Sequence, residues 1–255
     1  SGLVFFDPVR RGVMLTPAAE AFAHNVRLAR AEIRQGYYEV SEYLGRDSTR
    51  IAVGAMPLSR TAILPGAIDR LLSESAGRLQ LHCVDGPYGA LLRDLRFGEL
   101  DVLVGALRDP VPADDVVQEP LFEDTLSVVA ARDHPLAGQP NLTLEDTLAY
   151  PWIAPPQPTP TGTYLYESLR IPHLPDTPVR VVANSLVLVR GLMMRGDYVT
   201  IMSHKQIEVE QQYGIMAPLP IDLGDSARPI GLTYRANWRP TPTQARFLDL
   251  IREQA

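Results

Sequence analysis

The stretch LTPAAEAFAHNVRLARAEIRQGYYEVSEYL, residues 15–44, predicts one long amphipathic helix. Thr16 can cap the free backbone amides at its start, and Pro17 suits the first helical position. Apolar side chains then recur every three or four residues in one narrow stripe, which comprises Ala19, Phe22, Val26, Ala29, Ile33, Tyr37, Val40 and Leu44. At about 1.5 Å per residue, about 28 residues make a rod about 40 Å long.

Two uses of this helix are compatible with its pattern. Its stripe can be buried against the helix's own domain, or it can pair with the same stripe on a second copy of the chain. Charged side chains cover the rest of the helix and suit water, and no neighbouring stretch of sequence obviously covers the stripe. The pattern of the helix alone does not distinguish these two uses, so the flanking segments are needed to choose between them.

Composition bounds the class of protein. The chain has 255 residues, of which 45% are hydrophobic and 21% charged, which is typical of one large or two modest globular domains. The net charge of -6 argues against nucleic-acid binding over the whole surface, although a small basic module remains compatible with it. A single cysteine, Cys83, excludes an intrachain disulfide and fits a reducing compartment. Since no membrane-length apolar run and no signal-peptide layout are present, we expect a cytoplasmic protein.

Residues 3–15, LVFFDPVRRGVML, predict a short β-hairpin. Gly12 can supply the positive φ of its tight turn. So small a hairpin cannot stand alone in water, which indicates the remnant of a larger unit. Arg10 and Arg11 at the tip are suited to contacting phosphates, although from these thirteen residues alone a solvated turn is favoured.

The remaining sequence alternates strand and helix patterns. Strands RIAVGA (50–55), RLQLHCV (78–84) and DVLVGAL (101–107) alternate with helices at about 59–74 and 89–100, which predicts a parallel sheet. Two further strands follow at 116–122 and 125–132. A second set of elements repeats the plan, with strands predicted within 143–154 and at 179–184, 198–203, 215–220 and 229–237, and helices at 163–170, 185–196, 204–214 and 241–254.

The N-terminal junction resembles that of a known family. FFDPVRRGVMLTPAAEAF, residues 5–22, is similar to the point in LysR-type transcriptional regulators where the wing of a winged helix-turn-helix runs into the linker helix. The chain keeps Phe6, the run 11–13, the run 15–18 and Glu20, and departs at Pro8, where the family often has Arg, and at Ala19, where it often has Gly. VVAARDHPLAG (128–138) and LMMRGDYVTIM (192–202) resemble the family's hinge strand and its G-x-G-V-x-x-L-P region, with departures at Asp197 and Tyr198.

This resemblance implies an α/β protein with two Rossmann-like lobes of the type-II periplasmic-binding-protein fold. It assigns residues 1–15 to the wing remnant, 16–45 to a linker and dimerisation helix, 50–134 with 227–255 to lobe 1, and 135–226 to lobe 2. It also implies that a helix-turn-helix precedes residue 1 in a longer protein, of which this sequence is a fragment. Arg10 and Arg11 are the DNA contacts that the resemblance implies, although Pro8 removes one other candidate contact.

Small ligands of open α/β lobes bind at the carboxyl ends of strands, where helix N-termini present free amides. In this sequence those points predict a ligand site made of Met56, Pro57, Leu58, Ser59, Arg60, Tyr88, Leu107, Asn184, Ser185 and Thr200. Hydroxyls, backbone amides and one arginine suit a carboxylate. The alternatives are that Ser59 and Ser185 only cap their helices, that Arg60 is solvated and that Tyr88 packs on its lobe.

The sequence predicts no catalysis. It contains no phosphate-binding glycine loop, zinc-protease motif, paired C-x-x-C or nucleophile elbow, so we expect no metal and no cofactor. We therefore expect the sensing and oligomerisation part of a LysR-type regulator, a homodimer or homotetramer that binds a small, anionic metabolite between its lobes and relays this to DNA-binding domains. A solute-binding transport protein of the same fold is the first rival and a two-lobed enzyme the second.

Overall fold

The computed structural model describes residues 4–9, 12–44, 50–75 and 79–255. Strands β1 (Phe6–Val9) and β2 (Gly12–Leu15) form the predicted antiparallel hairpin, and Gly12 has the expected positive φ of +112°. Arg10 and Arg11, the predicted DNA contacts, lie outside the described residues. Among the helices that are described, none is long and apolar enough to span a membrane.

Helix α1 (Pro17–Tyr43) confirms the long helix predicted from residues 15–44. The Thr16 hydroxyl oxygen accepts a hydrogen bond from the Ala19 amide at 3.1 Å, which is the predicted cap. The same hydroxyl donates to the Val4 carbonyl at 2.8 Å, and the Thr16 amide donates to the Phe5 carbonyl. One residue therefore begins the helix and ties the hairpin to it.

The first lobe is built on a five-stranded sheet in the order β4-β3-β5-β12-β6. Its strands are β3 (Arg50–Ala55), β4 (Gln80–Val84), β5 (Val102–Ala106), β6 (Val116–Asp124) and β12 (Arg228–Arg235). Strands β3, β4 and β5 run parallel as predicted, whereas β12 is antiparallel to β5 and β6. The helices of this lobe are α2 (Pro57–Ala62), α3 (Leu64–Glu74), α4 (Tyr88–Arg96) and α8 (Pro242–Glu253).

Two predicted helix bounds in this lobe were wrong. The helix predicted at about 59–74 is two helices that meet at Ile63, because Pro65 has no amide hydrogen to continue the first helix's bonding and starts the second instead. The helix predicted to reach residue 100 ends at Arg96, because Gly98 has a left-handed φ of +68° that turns the chain towards β5.

The second lobe has its own five-stranded sheet in the order β11-β7-β10-β8-β9. The strands are β7 (Leu126–Ala131), β8 (Trp152–Ala154), β9 (Val179–Val182), β10 (Val199–Ser203) and β11 (Met216–Pro218). The helices are α5 (Pro160–Thr163), α6 (Leu186–Met193) and α7 (Glu208–Gln212), with a π-helical turn at Tyr164–Leu169 and 3-10 turns at Glu145–Ala149, Ile171–His173 and Lys205–Ile207. The helix predicted at 204–214 is thus a 3-10 turn followed by α7.

The boundary between the lobes differs from the sequence-based assignment. Strand β7 pairs with β10 and β11, so residues 126–134 belong to the second lobe and not to the first. Because the polypeptide crosses between the sheets at Thr125, β6 and β7 are consecutive strands of different lobes. The chain returns to the first lobe at Arg228, and β12 and α8 complete that lobe as predicted.

Helix α1 lies on the first lobe through one polar edge. Its buried side chains there include Gln35, whose amide nitrogen donates to the Gln244 side chain at 3.1 Å and to the Arg239 carbonyl at 2.7 Å. In the last turn of the helix, Glu42 accepts hydrogen bonds from the amide and hydroxyl of Thr243, at 2.9 and 2.8 Å. These bonds attach α1 to the first turn of α8.

The apolar stripe of α1 faces away from that contact. At 100° per residue, Phe22, Ile33 and Tyr37 lie about half a turn from Gln35 and Ala31. Ile33 is 75% exposed, and of the eight stripe residues only Ala19 is buried. The helix thus packs on its own domain without using its stripe. One face of the helix contacts the first lobe, and the opposite face, which carries the stripe, remains available to pair with a second copy of the chain.

Gly98 tests the contact between α1 and the first lobe. A Cβ at Gly98 would stand 2.3 Å from the Cβ of Ala31, at a backbone φ that side chains disfavour. We expect Gly98→Ala to lower the free energy of unfolding by about 1–3 kcal/mol. Gly36→Ala in α1 itself, where a Cβ meets nothing within 4 Å, is expected to raise it by about 0.5–1 kcal/mol. Urea unfolding followed by circular dichroism measures both, and equal responses would contradict the packing described.

Candidate ligand site

The loop between β3 and α2 is held mainly by its own backbone. The Met56 amide donates to the Val104 carbonyl on β5 at 3.1 Å, and the Ser59 hydroxyl donates to the Met56 carbonyl at 2.9 Å. Leu58 and Ser59 are buried, whereas Pro57 is exposed. The Ser59 hydroxyl therefore has an internal partner but does not cap α2, and its predicted contact with a ligand stays a prediction.

Arg60 lies beside a cavity of about 280 Å3 at the carboxyl ends of β3 and β4. Its guanidinium pairs with the Asp85 carboxylate at 3.0 Å, with 38% of the Arg60 side chain and 72% of the Asp85 side chain exposed. Such an exposed pair contributes about 0–1 kcal/mol to stability. The cavity wall is otherwise mostly apolar and is formed by Ala55, Leu64, Pro65, Ile68, Cys83 and Val84.

Tyr88 and Arg108 form a second group at the carboxyl end of β5. The guanidinium carbon of Arg108 lies 4.0 Å from the centre of the Tyr88 ring, a cation–π contact. One guanidinium nitrogen of Arg108 donates to the Ala106 carbonyl at 2.8 Å. The Tyr88 hydroxyl is buried and has no hydrogen-bond partner among the described residues. Burial raises the pKa of Tyr88, which stays protonated and able to donate.

Arg228 joins this group from the first residue of β12. Its guanidinium lies 3.3 Å from the Asp124 carboxylate and donates to the Thr161 hydroxyl at 2.6 Å. Only 16% of the Arg228 side chain and 1% of the Asp124 side chain are exposed. Because Thr161 belongs to the second lobe and Asp124 ends β6 of the first, Arg228 connects the two lobes where the chain crosses between them.

The charges of the two arginines influence each other. Burial lowers the pKa of the Arg108 guanidinium, the nearby Tyr88 raises it, and the positive charge of Arg228 lowers it again. The Leu107 amide, which donates to the Pro229 carbonyl at 2.9 Å, holds the two backbone segments side by side. The predicted residues Tyr88 and Leu107 are therefore brought together with two arginines that the prediction did not include.

The second-lobe residues of the prediction are placed differently. The Thr200 hydroxyl is buried in β10 and donates to the Ile153 carbonyl at 2.6 Å, and Ser185 caps α6 by accepting from the Leu188 amide at 3.4 Å. Asn184 is exposed beside it. Within the ranges that the structure describes, none of the three forms a hydrogen bond with a first-lobe residue. Their predicted contacts with a ligand stay predictions.

The lobes also touch along a second line. Helix α2 packs against the 3-10 turn Lys205–Ile207 of the second lobe. The Lys205 ammonium lies 4.0 Å from the centre of the Phe122 ring and donates to the Ala255 carbonyl at 3.1 Å. Contacts on two sides, at Lys205 and at Arg228, therefore connect the two lobes.

The sequence contained a local signal for Arg108 but not for Arg228. Arg108 directly follows the predicted strand end at Leu107, where cations can face a ligand. Arg228 precedes the strand predicted at 229–237, and its partner Asp124 is 104 residues away along the chain. In the described ranges, no cluster of three or more His, Cys, Asp or Glu side chains is placed to bind a metal ion.

Comparison with known proteins identifies relatives along the whole chain. Residues 44–255 match the family model described as the LysR substrate binding domain. The transcriptional regulator PcaQ of Agrobacterium fabrum is 29% identical over 255 residues, which cover 100% of this chain and 81% of PcaQ. The transcriptional regulator GalR of Pseudomonas putida is 31% identical over 252 residues, covering 99% of this chain and 63% of GalR. These relatives are transcriptional regulators and not enzymes.

A solved structure shows the same fold. Full-length OxyR from Pseudomonas aeruginosa, in a variant form, superposes with a TM-score of 0.67 at 19% identity, over 99% of this chain and 80% of OxyR. The alignment includes the hairpin and the long helix as well as both lobes, since so little of the chain is left uncovered. The two-lobed, type-II periplasmic-binding-protein architecture expected from the sequence is confirmed.

Asp124 tests the buried pair at the crossing between the lobes. Asp124→Asn leaves the Arg228 cation buried without its counter-charge, which is expected to cost about 3–5 kcal/mol of unfolding free energy. The double variant with Arg228→Gln is expected to recover part of this loss, because no lone charge remains. Arg60→Gln, which breaks an exposed pair, is the control and is expected to cost at most about 1 kcal/mol. Urea unfolding of the three variants and the wild type measures these differences, and an Asp124→Asn cost no larger than that of Arg60→Gln would contradict the structure.

Proposed function

The chain belongs to the LysR family of transcriptional regulators, and from this premise we propose that it senses a small molecule at the junction of its lobes and relays binding through α1. The proposal follows the family's plan of an effector-binding domain joined to DNA-binding domains, which the full protein would carry. It places the protein in the cytoplasm, where DNA is accessible, as a homo-oligomer with no cofactor of its own.

The observation that carries the proposal is the division of α1 into two faces. One edge is attached to the first lobe through Gln35 and Glu42, and the opposite face exposes an apolar stripe. Burial of apolar side chains of this size contributes about 1.5–3 kcal/mol each, so a surface of this length favours association with a second stripe. A helix built in this way couples a sensing lobe to a neighbouring subunit.

The lobe junction supports the other half of the proposal. Arg108, Arg228 and Tyr88 lie there with Leu107, close to the start of α2, and they combine cations with a hydroxyl donor that has no protein partner within the described ranges. An anion suits this combination. Met56–Arg60 would form the adjacent wall, and Asn184, Ser185 and Thr200 remain candidate contacts from the second lobe.

Through Arg228, a bound ligand could change how the two lobes sit against each other. A ligand shifts an equilibrium only as far as it binds one arrangement better than another. Because Arg228 holds Asp124 in the first lobe and Thr161 in the second, an anion beside it competes for the same guanidinium donors. Binding would then alter how the lobes sit against each other, and the attached α1 would carry that change to its partner subunit.

The two rivals have less support. A solute-binding transport protein has no use for a hairpin and an exposed helical stripe ahead of the lobes, and the relatives that match this chain are regulators. An enzyme needs a cluster of acid–base or metal-binding side chains, and the residues gathered at the lobe junction are mainly cations and one phenol.

The oligomeric state tests the role of the stripe. We expect the chain to run as a dimer or larger homo-oligomer in gel filtration with light scattering, and Ile33→Glu to shift it to a monomer, because each dimer would then bury two carboxylates. Ala21→Glu adds the same charge at an exposed position of α1 outside the stripe, and it should leave the oligomer intact. A strict monomer at all concentrations, or equal effects of the two variants, would contradict the proposal.

A further inference from the structure

Arg108 and Arg228 differ in how their charges are balanced. The Arg228 guanidinium is paired with the carboxylate of Asp124, which is almost completely buried. Arg108 pairs with no carboxylate among the residues that the structure describes, although its side chain is more than half buried and lies beside a second cation. The group formed by Arg108, Arg228 and Asp124 therefore carries one uncompensated positive charge.

A mostly buried charge without a partner is unfavourable, and proteins normally pair it or neutralise it. Within the part of the chain that the structure describes, no nearby side chain takes that role, and the contacts that Arg108 does make leave some of its N–H donors available. One guanidinium nitrogen donates to the Ala106 carbonyl at 2.8 Å and, less closely, to the Leu107 carbonyl at 3.3 Å. Arginine has five N–H donors, so the remaining ones can bind an anion.

A second group at the same place also lacks a partner. The Tyr88 hydroxyl is buried, has no hydrogen-bond partner in the described part of the chain, and belongs to the ring on which Arg108 stacks. One buried hydroxyl without a partner costs stability, and a ligand oxygen or hydroxyl would remove that cost. The Arg108 guanidinium and the Tyr88 hydroxyl thus present one cation and one neutral donor side by side.

We propose that the effector is a monocarboxylate, bound by Arg108 through its single negative charge and by Tyr88 through a neutral oxygen. This rests on the proposed function, since it specifies the ligand of the same lobe junction. One anionic charge balances the one cation that has no partner. A dicarboxylate would add a second negative charge that no unpaired cation of this group balances, and a neutral amide would leave the Arg108 charge without compensation.

The test uses two matched sets of small compounds on the intact chain. The probes are benzoate, phthalate and benzamide, and their aliphatic counterparts butyrate, succinate and butyramide, each titrated at constant ionic strength and pH 7 and followed by amide NMR shifts. We expect a monocarboxylate of at least one set to bind more tightly than its own dicarboxylate and its own amide. The resonances that move are expected to include the Tyr88 and Arg108 amides.

Variants identify the residue responsible. Arg108→Gln removes the charge and is expected to weaken monocarboxylate binding roughly 10- to 100-fold, the loss of one charge-assisted hydrogen bond. Arg108→Lys keeps the positive charge but loses the planar arrangement of guanidinium donors, and it is expected to retain part of the affinity. Arg93→Gln changes an exposed arginine of α4 that is already paired with Asp94 and is expected to bind as the wild type does. Circular dichroism confirms that each variant is folded.

The outcomes separate this inference from the function on which it rests. Tighter binding of the dicarboxylate or of the amide than of the monocarboxylate in both sets, at these same residues, would overturn the monocarboxylate inference and leave an effector site in place. Unchanged affinity in Arg108→Gln would remove Arg108 from the site. Binding of none of the six compounds by the wild type would also overturn the inference, while the oligomeric state of the Ile33→Glu variant decides separately on the regulatory role.

Discussion

The contact between the polar edge of α1 and the first lobe determines which face of this helix remains exposed for a partner subunit. Gln35 and Glu42 bind the first turn of α8, while Ala31 fits against Gly98 with no room for a side chain there. Because hydrogen bonds and close packing hold that edge, the apolar stripe is left on the outside of the subunit. A helix that packed on its lobe by the stripe would have no surface left for a partner.

At the junction of the lobes, an arginine with a paired charge lies next to polar groups that have no protein partner in the described part of the chain. The side chain of Arg228 binds groups from both lobes, and Asp124 balances its charge. Arg108 and Tyr88, a few ångströms apart, keep polar groups without protein partners in the part of the chain that is described. Unfavourable groups of this kind cluster where function needs them, since a bound ligand can supply what the protein omits.

Sequence patterns predicted the elements well where the signal was local. The Thr16 cap and the three-and-four spacing of the stripe predicted α1, and family resemblance predicted the two lobes. The polar attachment of α1 was not predictable, because Gln35 and Gln244 are 209 residues apart. The lobe assignment of residues 126–134 failed for a related reason, since strand membership in a sheet depends on distant partners such as β10. Arg228 was not predicted as a site residue, because only the folded chain brings Asp124 and Thr161 into contact with it.

Cysteine labelling tests the central claim about α1 most directly. In a Cys83→Ser background, one protein carries Ile33→Cys on the stripe and another carries Glu39→Cys on an exposed position outside it. The rate of reaction with a maleimide is measured as protein concentration increases. The account predicts that labelling at position 33 slows as subunits associate and that labelling at position 39 stays constant. Equal, concentration-independent rates at both positions would contradict it.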